Sequence, residues 1–313
     1  MVDLNIDLPA GFLEEETRWD YKITRQMKEV WAIELDLLSE LLRVCNKHNI
    51  KIFASGGTML GAVRHKGFIP WDDDIDMMMF RADYEKLCRV AKDEFAEPYF
   101  FQTEYTDSGS LRGHAQFRNS STTAILKGEC DQNTHIPCFH FNQGIFIDIF
   151  PLDNVVEDGN LILKQQKKVQ KARWWTYKIS NITSRYEKGK TSGIKGWIKD
   201  IVYLALQKFD IGISLEKNIY CRFEKECQTF NDRETKEVSS LSLDVINKQF
   251  YKDRKDYEEI IMMPFEFMEI PVGKNYDHAL KKRYGDYKEI VKGGSLHGGV
   301  FFDTDKSYTN YFI

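Results

Sequence analysis

Gly56-Gly57-Thr58, followed along the same stretch by Trp71-Asp72-Asp73-Asp74-Ile75-Asp76-Met77, couples a tight glycine turn to a concentration of carboxylates. Glycine lets a backbone approach a phosphate and present its N–H groups. Hard carboxylate oxygens hold a divalent cation of the Mg²⁺ or Mn²⁺ type. Read as a strand, the alternation places Asp72, Asp74 and Asp76 on one face, with Asp73 and Ile75 on the other. Acidic runs are commonly solvated loops, but this one continues into Met77-Met78-Met79-Phe80, as a buried strand does. A further acid, Asp148, stands alone in the apolar run Gly144-Ile145-Phe146-Ile147-Asp148-Ile149-Phe150. A lone carboxylate there costs several kcal/mol unless it is paired, hydrogen-bonded or bound to metal. It reads either as a sheet-edge acid reaching water or arginine, or, preferably, as a third acid beside Asp74 and Asp76.

These groups need a scaffold. From Tyr21 to Asn49, Met27, Val30, Trp31, Leu35, Leu38, Leu41, Leu42 and Cys45 recur at helical spacing. Lys51 to Ala54 reads as a short strand, Thr58 to Val63 as a helical turn, Asp74 to Phe80 as a strand and Asp83 to Phe95 as a helix. Further strands are expected at Tyr99 to Thr103, Ala115 to Phe117 and Ile145 to Phe150, giving an α/β core with a mixed sheet. The expected division is a catalytic core at 21–155 and a mainly helical region at 156–313 that completes the active site and acceptor surface. Helices are expected at 214–231 and 275–284, and a loop at Gly293 to Gly299. Between Leu161 and Lys199 lie eleven Lys or Arg and one acid, Glu187, interleaved with Trp174, Trp175, Tyr177, Tyr186 and Trp197. That segment reads equally as a solvated basic helix pair or as a surface for an anionic acceptor or anionic lipid.

With 313 residues, 42% hydrophobic and 13% aromatic, the chain can bury a large core. The net charge of −4 gives no global attraction to nucleic acid, and none is expected as a partner. Residues Met1 to Asp20 are acidic and lack the apolar core of a secretory signal, and no eighteen consecutive apolar residues occur. The six cysteines are dispersed, as in a reducing compartment. These features predict a cytoplasmic protein, peripheral at the inner face of the membrane if the basic segment binds lipid.

The glycine turn, Asp74-Ile75-Asp76-Met77 and Ile147-Asp148-Ile149 together follow the three-part pattern of the nucleotidyltransferase fold. The longer run Gly56-Gly57-Thr58-Met59-Leu60-Gly61-Ala62-Val63-Arg64-His65-Lys66-Gly67-Phe68-Ile69-Pro70-Trp71-Asp72-Asp73-Asp74-Ile75-Asp76 closely resembles the LicD family of phosphotransferases. Phe150-Pro151-Leu152-Asp153, Tyr284-Gly285-Asp286-Tyr287 and the tail from Phe301 to Tyr308 are further points of likeness. The resemblance implies transfer of a phosphoalcohol, typically phosphocholine from CDP-choline, onto a cell-surface glycan or teichoic-acid precursor with release of CMP. Fukutin-type relatives move ribitol phosphate.

On that footing Asp74 and Asp76 are assigned to Mg²⁺ or Mn²⁺, Asp148 as a shared ligand or as the base for the acceptor hydroxyl, and Asp72 as an outer ligand. Gly56, Gly57 and Thr58 are expected to donate to phosphate, and Arg64, Lys66 and Arg118 read equally as cations neutralising it or as surface and ion-pair residues. Choline's quaternary ammonium needs an aromatic face; Trp71 is the first candidate to provide one, and reads equally as a wedge in the turn before the strand. His297 matches a histidine near the family's C-terminal end and joins the substrate-binding candidates, with an exposed loop histidine as the equal alternative. Cys130, His135, Cys138 and His140 are zinc-type ligands, but their spacing fits no common zinc pattern, so buried thiols in a loop are the plainer reading. Two rival functions use the same features: nucleotidyl transfer with release of pyrophosphate, and glycan binding without catalysis.

Overall fold

The computed structural model describes residues 1–129, 138–185, 193–208, 211–243, 245–293 and 299–312. A short hairpin, β1 (Glu16–Arg18) with β2 (Tyr21–Ile23), leads into α1 (Arg25–Lys47), whose first turn is capped by the Thr24 hydroxyl accepting from the Met27 N–H. Then follow β3 (Phe53–Ala54), α2 (Gly56–His65), β4 (Asp76–Phe80), α3 (Arg81–Glu94), β5 (Tyr99–Gln102), β6 (Ala115–Asn119), β7 (Thr123–Leu126) and β8 (Ile145–Val155). The second half brings α4 (Gly159–Ser180), α5 (Gly193–Lys208), α6 (Ile211–Cys227), β9 (Glu237–Ser239), β10 (Lys252–Asp253), β11 (Ile260–Phe265), β12 (Met268–Gly273), α7 (Tyr276–Tyr284) and β13 (Val300–Asp303).

The main sheet is mixed, as the sequence implies. Strand β8 runs parallel to β4 and antiparallel to β6 and β9, while β3 and β10 extend the two ends of the β3-β4-β8-β9-β10 path. The parallel register pairs Asp76 with Asp148, and the antiparallel one pairs Asp148 with Gln116. Sheet geometry alone therefore brings two acids distant in sequence to one level of the sheet.

Helix α1 covers the sheet with Val30, Trp31, Leu38 and Leu41, all fully buried, and Trp31 stacks on Phe68 at 4.5 Å. Past residue 155 the regular structure is mostly helical, with α4 and α6 enclosing a second apolar cluster that includes Val169, Tyr220 and Phe223. Strands also come from this half: β9 and β10 lengthen the main sheet, and the β11–β12 hairpin supplies Phe265, Ile270 and Val272 to the main core.

One local expectation is corrected. Regular β structure begins at Asp76, and residues 72–75 form an irregular approach to it. Strand alternation therefore does not apply to Asp72, Asp73 and Asp74, whose carboxylate oxygens lie within 4.8 Å of one another. Ile75 alone turns into the core, fully buried.

Candidate active site

Asp74, Asp76 and Asp148 share the wall of one cavity of about 440 Å³, with Ser55 and Gly56 at its edge. The turn into α2 fixes Asp76. The Ser55 N–H donates to the Asp76 carbonyl at 2.9 Å, and the Thr58 hydroxyl accepts from the Asp76 N–H at 2.8 Å. Gly56 needs its φ of +49°, and a Cβ there would sit 3.5 Å from Asp76 Oδ2. At Gly57 a Cβ would fall 2.7 Å from Asp72 Oδ2, so the glycine pair is what lets two carboxylates approach the turn. Thr58 is buried with its hydroxyl engaged in this clamp, a positioning contact rather than an exposed donor.

Asp148 is held from both strands. Its N–H donates to the Ile75 carbonyl at 2.9 Å, and its Oδ1 accepts from Gln116 at 2.8 Å and meets His114 Nε2 at 3.1 Å. Burial alone would raise its pKa; His114, Arg112 and Gln116 outweigh that and hold it below the ordinary carboxylate value. Asp74 goes the other way. Burial, then the charges of Asp76, Asp72, Asp148 and Asp73, push it up to about 10. An all-carboxylate donor set under such mutual repulsion fits a hard divalent cation of the Mg²⁺ or Mn²⁺ class and offers nothing to a thiophilic one.

The predicted phosphate cations are distributed otherwise. Arg118 is buried at the sheet, donating to Gln102 and the Gly144 carbonyl at 2.6 Å each and to Gln116. Burial, with Arg112 nearby, brings it down to about 9. It orients Gln116, which in turn holds Asp148, because a guanidinium enclosed by three acceptors has no face left for solvent. Arg64 donates to the Tyr287 and Glu289 carbonyls at 2.9 and 3.0 Å, tying the Tyr284–Tyr287 turn to α2. Lys66 is exposed at the far end of α2, about 15 Å from Gly56 by helical rise. Trp71 lies against Tyr21 and His65, at 6.1 and 6.5 Å between ring centroids, and is absent from the cavity wall.

Cations that do line the cavity come from the second half: Lys252, Lys282 and Arg283. Burial, with Arg283 nearby, lowers Lys252 to about 8. Lys282 bridges Asp253 and Glu237 at 2.9 and 3.1 Å. Phe150, Phe250, Tyr257 and Tyr284 add aromatic surface, and Arg283 already rests over the Phe250 ring at 4.3 Å. On this wall Asp256 pairs with His278 at 2.7 Å.

Sequence reasoning missed several of these groups. It also passed over Glu34, buried on α1, which burial and then the charges of Asp74, Asp73, Asp72 and Asp148 raise well above the ordinary carboxylate range; a carboxylate at a core position was the available signal. His114 immediately precedes an expected strand. The Lys252–Tyr284 wall had no local signal, because chain reversal through the sheet and α7 brings it to the acids. Cys130, His135 and His297 lie outside the described residues. Cys138 is half-buried, and exposed His140 lies 5.2 Å from the Phe312 ring.

Residues 49–185 match the LicD/FKTN/FKRP nucleotidyltransferase domain. The lipopolysaccharide cholinephosphotransferase LicD of Haemophilus influenzae is 25% identical over 269 residues, 84% of this chain and 92% of that protein. An uncharacterised protein of Rickettsia prowazekii is 39% identical over 72 residues, 23% of this chain and 25% of its own length. One from Rickettsia typhi is 38% identical over 80 residues, 24% and 26% of the two chains.

Proposed function

The chain carries a LicD-family nucleotidyltransferase domain, and from that premise we propose that it moves phosphocholine from CDP-choline onto a glycan, releasing CMP. One observation carries the reading: Asp74, Asp76 and Asp148 line one cavity together with aromatic rings and with Lys252, Lys282 and Arg283. CDP-choline presents those two chemistries, a diphosphate for the cations and a quaternary ammonium for aromatic faces. The likeness to a cholinephosphotransferase across most of the chain supports choline as the alcohol.

Asp74, Asp76 and Asp148, with Asp72 outside them, would hold Mg²⁺ or Mn²⁺, which when bound supplies charge neutralisation for the reacting phosphate. The protein's own part is positioning. Gly56 and Gly57 bring the backbone to the phosphates, and Lys252 and Arg283 balance their charge. Gln116 and His114 occupy Asp148 Oδ1, directing Oδ2 to the cation or to the acceptor hydroxyl's proton. The hydroxyl oxygen attacks the phosphorus bearing choline, that phosphorus–oxygen bond to CMP breaks, and the proton passes to a carboxylate or to solvent.

The acceptor reaches the site at a membrane surface in this reading. Among the described residues no helix is long and apolar enough to cross a bilayer. Helix α5 nonetheless turns its apolar face outward: Ile194 and Trp197 are 79% and 65% exposed, with Ile198, Ile201, Val202 and Leu204 also exposed. Gly196 faces inward, and Lys195 and Lys199 border the apolar face. A helix of that pattern lies in the headgroup region of an anionic bilayer, with tryptophan at the boundary. This pattern supports a contact through α5, which begins inside the basic segment 161–199 and continues past it.

A panel of CDP-alcohols with Mg²⁺ or Mn²⁺ tests the donor. CDP-choline should give the highest rate of CMP release. Pyrophosphate release from a nucleoside triphosphate would instead establish nucleotidyl transfer, and glycan binding without turnover of any donor would establish a binding protein.

A further inference from the structure

Apart from Asp74, Asp76 and Asp148, the residues Asp253, Asp256 and His278 each offer one ligand atom to a group whose members lie within 4.8 Å of one another. Three elements supply them. Asp253 ends β10, Asp256 ends the short helical turn Arg254–Asp256, and His278 stands in the first turn of α7. The backbone around them fixes this assembly. At Gly273, where β12 ends, a Cβ would collide with the Asp256 carbonyl oxygen, so only glycine lets the chain close on that turn. Asn275, just before α7, donates from Nδ2 to the Lys255 carbonyl at 3.1 Å and sets the start of the helix against the same turn.

The donor atoms are spaced for a metal ion. His278 Nδ1 lies 2.7 Å from Asp256 Oδ2 and 3.6 Å from Asp253 Oδ2. Zinc held at about 2.0 to 2.2 Å by each ligand sets neighbouring donors of a tetrahedron roughly 3.3 Å apart, between those two distances. Lys282, one helical turn beyond His278, takes Asp253 Oδ1 at 2.9 Å and leaves Oδ2 to the imidazole side. A second observation comes from Asp256 itself. It is 1% exposed, and its other oxygen, Oδ1, is buried without a hydrogen-bond partner. His278 therefore satisfies only half of a carboxylate that the fold has taken out of water. A cation bound by both oxygens satisfies all of it.

We propose that Asp253, Asp256 and His278 hold a zinc ion, separate from the carboxylate site of Asp74, Asp76 and Asp148. One imidazole nitrogen with two carboxylates is a mixed nitrogen–oxygen donor set, which suits zinc, whereas the all-carboxylate group suits Mg²⁺ or Mn²⁺. Three protein ligands leave a further position for water. The ion ties α7 to β10, the elements that bring Lys252, Lys282 and Arg283 to the cavity. It does so whichever donor the cavity takes.

The test is Zn²⁺ binding to the full-length protein, stripped of metal and kept in excess Mg²⁺ so that hard carboxylate sites are filled. Calorimetry counts the ions, Co²⁺ absorption reports a nitrogen ligand, and thermal melts report stabilisation. Wild type should bind one Zn²⁺ and melt a few degrees higher with it. His278→Gln, at a half-exposed position, should weaken binding by more than the roughly 10- to 100-fold that loss of an outer partner costs, and should lose the thermal shift. Asp256→Asn should do the same, and Asp76→Asn should keep the ion. Circular dichroism establishes that each variant is folded, and His278→Gln decides alone if Asp256→Asn is not. No Zn²⁺ bound by wild type overturns the proposal. So does binding that is unchanged in His278→Gln, whether it is then lost in Asp76→Asn or in a Cys138→Ser, His140→Gln double variant.

Discussion

Asp76→Asn changes a single atom type at the centre of the proposed site, and its two consequences should have opposite signs. Asp76 and Asp148 are register partners on neighbouring parallel strands. At the ~5 Å spacing of adjacent strands and an effective dielectric near ~20, two unit charges repel by roughly 3 kcal/mol. Relaxation and solvent screening reduce this, so the metal-free variant should gain about 1 to 3 kcal/mol, a rise of a few degrees in Tm. The sign of the pH dependence follows from Asp74, raised from its ordinary 3.8 to about 10 chiefly by burial and next by Asp76. A carboxyl that binds its proton more tightly when folded loses stability as pH climbs from its unfolded toward its folded value. Metal-free wild type should therefore melt lower at pH 8 than at pH 5, and less steeply so in Asp76→Asn. Turnover should fall by roughly two to four orders, corresponding to about 3 to 5 kcal/mol of lost charge stabilisation. Thermal melts with and without Mg²⁺, set beside CMP release, measure both. Wild-type turnover, or a metal-free variant that is less stable yet still gains the full Mg²⁺-induced shift, would refute the reasoning.

Asp148→Asn should likewise abolish transfer, and His114→Ala should weaken it by a smaller factor while raising the Asp148 pKa, measurable as a shift of the acidic limb of the pH–rate profile. Because Lys252 sits near 8, mainly through burial, its charge is present below that pH and lost above it; the KM for CDP-choline should rise above about pH 8, and Lys252→Arg should flatten the rise. An unchanged pH profile in Lys252→Arg would remove Lys252 from donor binding. Trp197→Glu with Ile201→Glu should abolish binding to anionic vesicles and transfer to a lipid-linked acceptor, with CMP release from CDP-choline in water within about twofold of wild type. Equal loss of both activities would place α5 in the catalytic apparatus instead. Salt should weaken vesicle binding as the Debye length shortens from ~10 Å at 0.1 M.

The part of this site legible in the sequence is the part built from contiguous chain. Gly56-Gly57, Asp74, Asp76 and Asp148 are marked by turn chemistry and by charge set in apolar runs, and β4 and β8 bring them together. The β4 assignment began two residues early because alternating carboxylates imitate strand periodicity, whereas the glycine turn instead draws Asp72 to Asp74 into an irregular cluster. Arg118 illustrates a second limit. A basic residue beside a site can equally serve phosphate or scaffold, and only the positions of Gln102, Gln116 and Gly144 decide for scaffold. The Lys252–Tyr284 part of the cavity lining depends on β9 and β10 joining the end of the main sheet and on α7, a long-range arrangement with no signature near Lys252 or Arg283. Helix α5 shows a third. The sequence marked 161–199 only by its basic and aromatic residues, and the exposed Ile201, Val202 and Leu204 that extend the helix's outward apolar face lie past that stretch.

The central claim is that this chain transfers phosphocholine from CDP-choline to a glycan. Incubation of the purified protein with Mg²⁺, CDP-choline carrying isotopically labelled methyl groups, and a lipid-linked glycan acceptor, followed by quantification of CMP and of label on the glycan, tests it most directly. Equal molar amounts of CMP and glycan-bound phosphocholine, both absent with Asp76→Asn, are the predicted result. No label on the glycan, with another CDP-alcohol or a nucleoside triphosphate consumed in its place, would contradict it.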